Sequence, residues 1–420
     1  MIIRGGTVVT SRGVERADIA ITDGRIVAVR ENLDDDSDEE IDATGLHIFP
    51  GGIDSHVHFN EPGHTDWETI SDGSAALAAG GYTAFIDMPL NNLPVTVDGH
   101  SFAAKWAALS RHATVDWGVW AGLVPGNRAE LKPMKAHGAL GFKAFMCPSG
   151  LDQFPACDGA TLRAGMQRIA EIDSILLVHA EDPALLGTPG GRTATDFIRS
   201  RPPEAELSAI ATAIELAAET GCRLHVVHVS TARGVELIEL AAARGVDVSG
   251  ETCPHYLLYV EEDMERIGGT AKCAPPFRTA ADREALWSMP MVVSDHSPST
   301  LDLKQGSDFS KLWGGISGCQ STRQLLLAAG MELSQVAAVT STNIARRFRV
   351  ANKGDIAPGF DADLWLVDLS HEDVVRREAL LYRNPFSAHE GRPIRGRTVA
   401  TLVRGRSPGQ AVELRQTASF

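Results

Sequence analysis

Residues 51–59 read Gly-Gly-Ile-Asp-Ser-His-Val-His-Phe, two glycines followed by a short apolar run that carries His56 and His58 at i and i+2. Side chains two apart on an extended strand share a face, so both imidazoles point to the same side near the strand's end. From here the chain alternates short β-branched segments with Ala- and Leu-rich segments of helical period, the βα pattern of a parallel sheet. Eight candidate strands can be read, at 52–59, 82–88, 115–123, 141–146, 175–180, 223–230, 246–252 and 291–295. Eight such units fit an α/β fold of the (β/α)8 TIM-barrel type, whose site lies at the C-terminal ends of the strands. The alternative, an open doubly wound sheet, would show a phosphate-binding glycine fingerprint after an early strand, and neither GxGxxG nor GxxxxGK[ST] occurs.

Outside this run the texture changes. The first fifty residues alternate short β-rich runs (2–3, 7–10, 17–22, 25–29) with turn residues such as Asp23-Gly24, and read as antiparallel hairpins. A similar texture returns at 363–369 and 396–404, which predicts a small sheet domain closed by both chain ends. The acidic stretch 34–40 reads as a solvated loop.

Composition limits the function classes. The chain has 420 residues, 44% hydrophobic and 22% charged, with a formal net charge of -15. An acidic balance argues against a nucleic-acid or anionic-membrane surface, which needs clustered Lys and Arg, and leaves small-molecule chemistry. No run approaches the ~20 apolar residues that span a bilayer, and the first residues carry no apolar leader segment, so a cytoplasmic location is expected. Six cysteines without paired CxxC spacing read as scattered reduced thiols.

The candidate strand ends carry chemistry. Lys143 lies inside the fourth strand, where an unpaired ammonium is expensive to bury and calls for a modification or a partner. His179 ends the fifth strand, His228 the sixth and Asp295 the eighth, so six metal-competent groups are expected at one mouth. His225, three residues before His228, points to the opposite face of a regular strand and is read as structural. His255 and His296 fall in loops near the mouth, either supporting the ligands or simply packing the loops. The histidines at 47, 64, 100, 112, 137, 371 and 389 have no such position and are expected to face solvent or cap loops.

The segments GGIDSHVHF, GFKAF, LLVHAED, LHVVHVS and SDHSP resemble the successive signature strands of the cyclic amidohydrolases, the family of dihydroorotases, hydantoinases and allantoinases. The resemblance covers nearly the whole chain. It implies a metal-dependent barrel over 51–349 with a small β-sandwich built from 1–50 and 350–420. It further implies a binuclear centre held by His56, His58, Lys143, His179, His228 and Asp295, with Lys143 carboxylated as a bridging ligand. Two divalent ions follow, zinc first, although the ligand types also suit cobalt, manganese, nickel or iron. A carbamate exchanges an awkward buried cation for an anionic two-oxygen ligand, and the metal pair activates a bridging water. Asp295 would be the catalytic acid-base, carrying the proton from that water to the leaving ring nitrogen. Relatives are commonly homotetramers or dimers, so a homo-oligomer is expected.

Branch membership follows from what is missing and what is present. Dihydroorotases hold a substrate carboxylate with an Arg, an Asn and a His, where this chain has Asn60, Leu90 and Ser299. A buried carboxylate without its cation costs several kcal/mol. The tyrosine that hydantoinases place after the modified lysine is absent from Met146-Cys147-Pro148-Ser149-Gly150. The stretches MPLNNLPVT, FMCPSGLDQFP, SRPPEAELSAI and LWGGISGCQ resemble the allantoinase branch. The resemblance therefore implies hydrolysis of the ring amide of allantoin, a neutral small molecule, to allantoate in purine breakdown. Asn60, Asn91, Ser149 and Ser297 are the candidate substrate contacts, because amide and hydroxyl groups suit a neutral ureide better than Arg does. The glycines at 314, 315 and 318 either let backbone approach the ring or shape a loop. Two alternatives remain: a hydantoinase or dihydropyrimidinase-like amidohydrolase, and a non-catalytic relative of the fold, which would lack several of the six ligands.

Overall fold

The computed structural model describes residues 1–34, 37 and 39–417. The N-terminal strands are β1 (Ile2–Thr10), β2 (Gly13–Thr22), β3 (Arg25–Arg30), β4 (Glu40–Asp42) and β5 (His47–Pro50). Barrel strands follow as β6 (Gly52–Val57), β7 (Tyr82–Asp87), β8 (Asp116–Gly122), β9 (Gly141–Phe145), β10 (Ile175–His179), β11 (Arg223–Val226) and β12 (Val248–Gly250). The chain then returns through β13 (Leu364–Val374) and β14 (Pro393–Leu402).

Strands β6 to β12 hydrogen-bond side by side in chain order, all parallel. The eighth position, expected as a strand over 291–295, is instead two isolated bridges, Thr252 to Val292 and Val57 to His296. They close the ring, because Thr252 N–H donates to the Met291 carbonyl at 3.0 Å and His58 N–H to that of His296 at 2.8 Å. A regular ladder fails there for local reasons. Asp295 takes a left-handed φ of +46°. Ser294 N–H donates to the Asp54 carboxylate at 3.2 Å and His296 N–H to the Ser294 hydroxyl at 3.1 Å, so ladder donors go to side chains. The Gly51-Gly52 pair has a steric purpose: a Cβ would lie 2.1 Å from Thr83 Oγ1 at residue 51 and 2.6 Å from the Tyr82 ring at residue 52. The outer helices start on side-chain caps, as when Thr69 accepts from Asp72 N–H and Asp98 from Ser101 N–H.

The chain ends do meet. β5 lies between β1 and β13, and the order β14-β13-β5-β1-β2-β3 forms one sheet with β4 beside β1. The hairpins β1–β2 and β2–β3 are antiparallel as read, whereas β4 and β5 join β1 in parallel. Ile3, Val8, Ile19, Ile48, Leu364, Leu366 and Leu402 fill one apolar cluster of this sheet. The sheet is fastened to the barrel by the buried Lys353, whose Nζ sits 2.7 Å from Asp116 at the start of β8, 3.1 Å from Asp361 and 2.6 Å from Asp363. Of the acidic stretch, Glu40 opens β4 and pairs with Arg4 at 2.7 Å, while Asp35, Asp36 and Asp38 lie outside the described residues. All six cysteines are free and buried. Among the described residues no helix is long and apolar enough to cross a membrane.

Candidate metal centre and its cavity

At the C-terminal ends of the barrel strands lies a cavity of about 490 Å3, lined by His56, His58, Lys143, His179, His228 and Asp295 among others. The pleat of β6 brings His56 and His58 to one side. Their Nε2 atoms stand 3.2 and 3.4 Å from Asp295 Oδ1. His179, at the end of β10, turns Nδ1 toward His228 Nε2 at 3.0 Å. His228 lies two residues past β11 with φ of +39°, so the regular alternation assumed for 223–230 stops at Val226. Lys143 enters from β9, 1% exposed, with no hydrogen-bond partner for Nζ.

Electrostatics sort these groups. Burial pushes the Lys143 amine down to about 7, against the pull of Asp295 and Glu251. Burial also holds His56 and His228 well below the usual imidazole range, leaving the neutral, ligating form. It opposes the charge of Asp295, but the hydrogen bond and charge of His58 outweigh it and keep that carboxyl below its ordinary value. A buried amine without an acceptor, four histidines and a carboxylate fit divalent-cation chemistry and lysine carboxylation: burial keeps His56, His179 and His228 neutral, each with one ring nitrogen free to ligate, and leaves about half of the amine uncharged at pH 7.

Two carboxylates that the sequence reading did not single out support the histidines. Glu251, just after β12, places Oε1 2.6 Å from His56 Nδ1 and Oε2 3.0 Å from His225 Nε2, and His225 Nδ1 meets the Ser249 hydroxyl at 2.7 Å. Burial raises Glu251 to about 8. Glu181 places Oε2 2.7 Å from His179 Nε2 and accepts from Arg201 Nε at 3.0 Å and from Arg201 Nη2. Burial raises Glu181, yet the Arg201 charge and the bond to His179 bring it to about 2. A sequence signal existed for Glu181, which follows His179 by two residues on the same face.

Of the candidate substrate contacts, Asn91, Ser149 and Ser297 line the cavity and Asn60 does not. Asn60 is fully buried, and its Nδ2 donates to the Pro298 carbonyl at 3.3 Å, tying together the loops that follow β6 and Asp295. Ser149 Oγ donates to the Phe154 carbonyl at 2.7 Å, and Ser297 Oγ to Asp295 Oδ1 at 3.3 Å. Two cations that the sequence reading did not single out, Arg201 and Lys272, also face the cavity. Their charges are already engaged: Arg201 pairs with Glu181, and Lys272 Nζ donates to the carbonyls of Ser310 at 2.8 Å and Leu312 at 2.7 Å. The 310–315 segment walls the cavity with Trp313, Gly314 and Gly315, whereas Gly318 donates its N–H to His296 Nδ1 at 3.1 Å. Among the described residues no tyrosine lines the cavity. His296 pairs with Glu68 through Nε2. His255 is buried with neither ring nitrogen bonded, its ligating atom within 4.8 Å of those of Asp295 and Cys253. His389, expected at the surface, is buried against the Tyr259 ring with Nδ1 3.1 Å from its hydroxyl.

Residues 47–396 match the amidohydrolase family. The chain is 49% identical to a Rubrobacter xylanophilus protein named allantoinase, over 97% of this chain and 93% of that one. It is 46% identical to a Solibacter usitatus protein of the same name, over 96% and 92%. Among solved structures, the L-hydantoinase (dihydropyrimidinase) of Arthrobacter aurescens superposes with a TM-score of 0.95 at 30% identity, covering 99% of each chain.

Proposed function

The chain belongs to the amidohydrolase family, and on that premise we propose that it is an allantoinase, opening the hydantoin ring of allantoin by hydrolysis of its ring amide to give allantoate. One observation carries the reading: His56, His58, Lys143, His179, His228 and Asp295 line a single cavity, with the Lys143 amine buried, unpartnered and pushed down to about 7. These six would hold two divalent ions, with Lys143 carboxylated between them. Such ions, when bound, supply Lewis acidity toward the ring carbonyl and lower the pKa of water. The protein's own contribution is positional and protonic. Asp295, its Oδ1 between the Nε2 atoms of His56 and His58, takes the proton of the attacking water and delivers it to the departing ring nitrogen, without which nitrogen leaves poorly.

The remaining wall suits a neutral ureide. With Arg201 and Lys272 engaged by protein groups, and the Gly315 backbone bonded to the Lys272 carbonyl and to Lys304 Nζ, the Asn91 amide, the Gly314 backbone and the acceptor sides of the Ser149 and Ser297 hydroxyls are the groups offered to N–H and C=O groups. A cavity of about 490 Å3 accommodates a small cyclic molecule. The same reading includes zinc as the metal, a cytoplasmic location, a tetrameric or dimeric assembly, and a division into residues 1–50 with 350–420 and residues 51–349; family resemblance and ligand chemistry support it. The likeness to an L-hydantoinase favours one second reading, hydrolysis of simple hydantoins.

The test is allantoate release from racemic allantoin, with hydantoin and dihydroorotate in parallel and a chelated, metal-reloaded control. Turnover of allantoin alone, abolished by chelation and restored by metal, is expected. Faster turnover of hydantoin would replace the substrate assignment and keep the metal chemistry; silence on all three with no metal bound would favour a non-catalytic relative.

A further inference from the structure

A second cavity, of about 510 Å3, shares no lining residue with the one at the metal centre. Four cations line it, Arg266, Arg377, Arg392 and Lys304, against one carboxylate, Glu390. Two of the four are neutralised: Arg266 Nη2 stands 2.6 Å from Asp263 Oδ1, and Arg377 Nη2 3.1 Å from Glu390 Oε1. The other two form no ion pair among the described residues. Arg392 donates from Nη2 to the Leu258 carbonyl at 2.8 Å, and its guanidinium lies 4.8 Å from the centre of the Tyr259 ring. Lys304 is buried, and its Nζ donates to the carbonyls of Trp313, at 2.9 Å, and of Gly315. Carbonyls solvate a cation without neutralising it, and a buried ammonium in that position calls for an anion. An ammonium has three N–H donors, so one remains after the two carbonyls are served.

Lys304 also connects the two cavities. It lines the second, while Trp313 and Gly315, whose carbonyls it holds, wall the first. We propose that the second cavity binds a small oxyanion, a carboxylate or a phosphate, between Lys304 and Arg392, and that Lys304 relays its presence to the substrate wall. Burial pushes the Lys304 amine down to about 7, with Cys273 opposing and Lys272 reinforcing the shift, so without an anion part of the population lacks the charge. An anion at the third donor favours the charged form. Hydrogen bonds from a charged donor are shorter and stronger than those from a neutral one, so the carbonyls of Trp313 and Gly315 are then held more firmly. A wall held in place loses less freedom when a ligand meets it, and the two cavities become coupled: each occupant tightens the other.

The binding step is independent of the hydrolysis proposed above; only the kinetic arm of the test rests on it. The metal-loaded protein is titrated by calorimetry with inorganic phosphate and, separately, with succinate, the ionic strength being held constant with chloride. Saturable binding of at least one is expected, weakened about 10–100-fold in Arg392→Gln and partly recovered in Arg392→Lys, which keeps the charge. The tighter of the two anions identifies the chemistry as phosphate or carboxylate. Binding of neither, or equal affinity in Arg392→Gln, would overturn the site, the latter by placing the anion elsewhere, as on the metal ions. Crystals soaked in selenate give a second measurement, since selenium is located by its anomalous scattering: density between Lys304 and Arg392 is expected, and none there would count against the site. The relay is read by hydrogen exchange of the 310–315 amides, which the anion should slow in the wild type and not in Arg392→Gln; unchanged exchange would remove the relay. The anion should also lower KM for allantoin in the wild type alone. A raised KM would mark competition at the metal centre and refute the coupling, whereas absent turnover with anion binding intact would overturn the substrate reading and leave this site standing.

Discussion

Carboxylation of Lys143 should have a pH dependence fixed by its burial. The amine is pushed down to about 7 from an ordinary 10.5. At pH 7 about half of it is then neutral, against ~0.03% for an ordinary lysine, an enrichment of roughly 1,600-fold in the form that attacks CO2. The initial rate of 13CO2 uptake by the metal-stripped protein, at constant dissolved CO2, should therefore rise about tenfold per unit well below pH 7, reach half its limit near pH 7 and level off above about pH 8. The assay is the carbamate carbon signal in 13C NMR, with Lys143→Met as the blank. The same shift has a stability consequence of defined sign. A lysine whose folded value lies below its unfolded one is penalised in full below the folded value, and the penalty fades as pH rises toward the unfolded one. The shift of ~3.5 units corresponds to something on the order of 5 kcal/mol, so the unmodified, metal-free protein should be markedly more stable near pH 9 than near pH 6. An initial rate that kept rising tenfold per unit to about pH 10, or label that persisted in the Lys143→Met variant, would refute the reasoning.

Removing the Lys353 cation by Lys353→Met leaves the buried Asp363 without a cation, and Asp116 and Asp361 with only Arg404 and Arg25, and should cost about 3–5 kcal/mol. With ~2.1 cal/mol/K per residue over 420 residues, the unfolding entropy is ~0.9 kcal/mol/K and the melting temperature should fall by about 3–6 °C, read by calorimetry. Its three carboxylates hold Lys353 above the ordinary lysine value, so the stabilisation is complete below that value and is lost as pH rises through the raised one. Gly315 has φ of +150°, and a Cβ there would meet the Ser297 carbonyl oxygen at 2.7 Å. Gly315→Ala should cost about 1–3 kcal/mol and raise KM for allantoin, and an unchanged KM would remove this segment from the substrate wall. Asp295→Asn should retain folded structure, checked by circular dichroism, and lose roughly 10²–10⁴ in kcat, the usual worth of a proton-transfer group.

What was legible in the sequence was whatever obeys a local period. The i, i+2 spacing of His56 and His58 survives although the register of β6 on β7 shifts between Asp54 and Val57 and His58 lies one residue past the strand, and seven barrel strands follow the apolar runs within a few residues of each end. Regular geometry ended before the strands were expected to. His228 lines the cavity and His225 stays behind it on Glu251, in line with the choice between them, but the chain turns left-handed at His228 instead of continuing the strand, and 291–295 closes the barrel with side-chain acceptors in place of a ladder. Asn60 looked like a substrate contact by position but is spent on the Pro298 carbonyl, a partner 238 residues away. Such long-range pairings leave no periodic trace. Glu251 meeting His56 across 195 residues, and Arg201 meeting Glu181 across 20, are choices of tertiary packing. The parallel joining of β4 and β5 to β1 was hidden for the same reason: strand texture reveals extension but not partners.

The sandwiched place of β5 has a consequence for synthesis. Its Pro50 and Leu364 of β13 are register partners, so 314 positions of chain separate the two sides of one ladder. At ~5–20 residues per second a ribosome needs roughly 15–60 s to deliver the second strand, and for that interval the nascent chain carries a half-finished sheet with an open margin. An open margin of this kind recruits whatever strand arrives first. His47–Pro50 limits the hazard by being only four residues long and ending in a residue that has no N–H to offer.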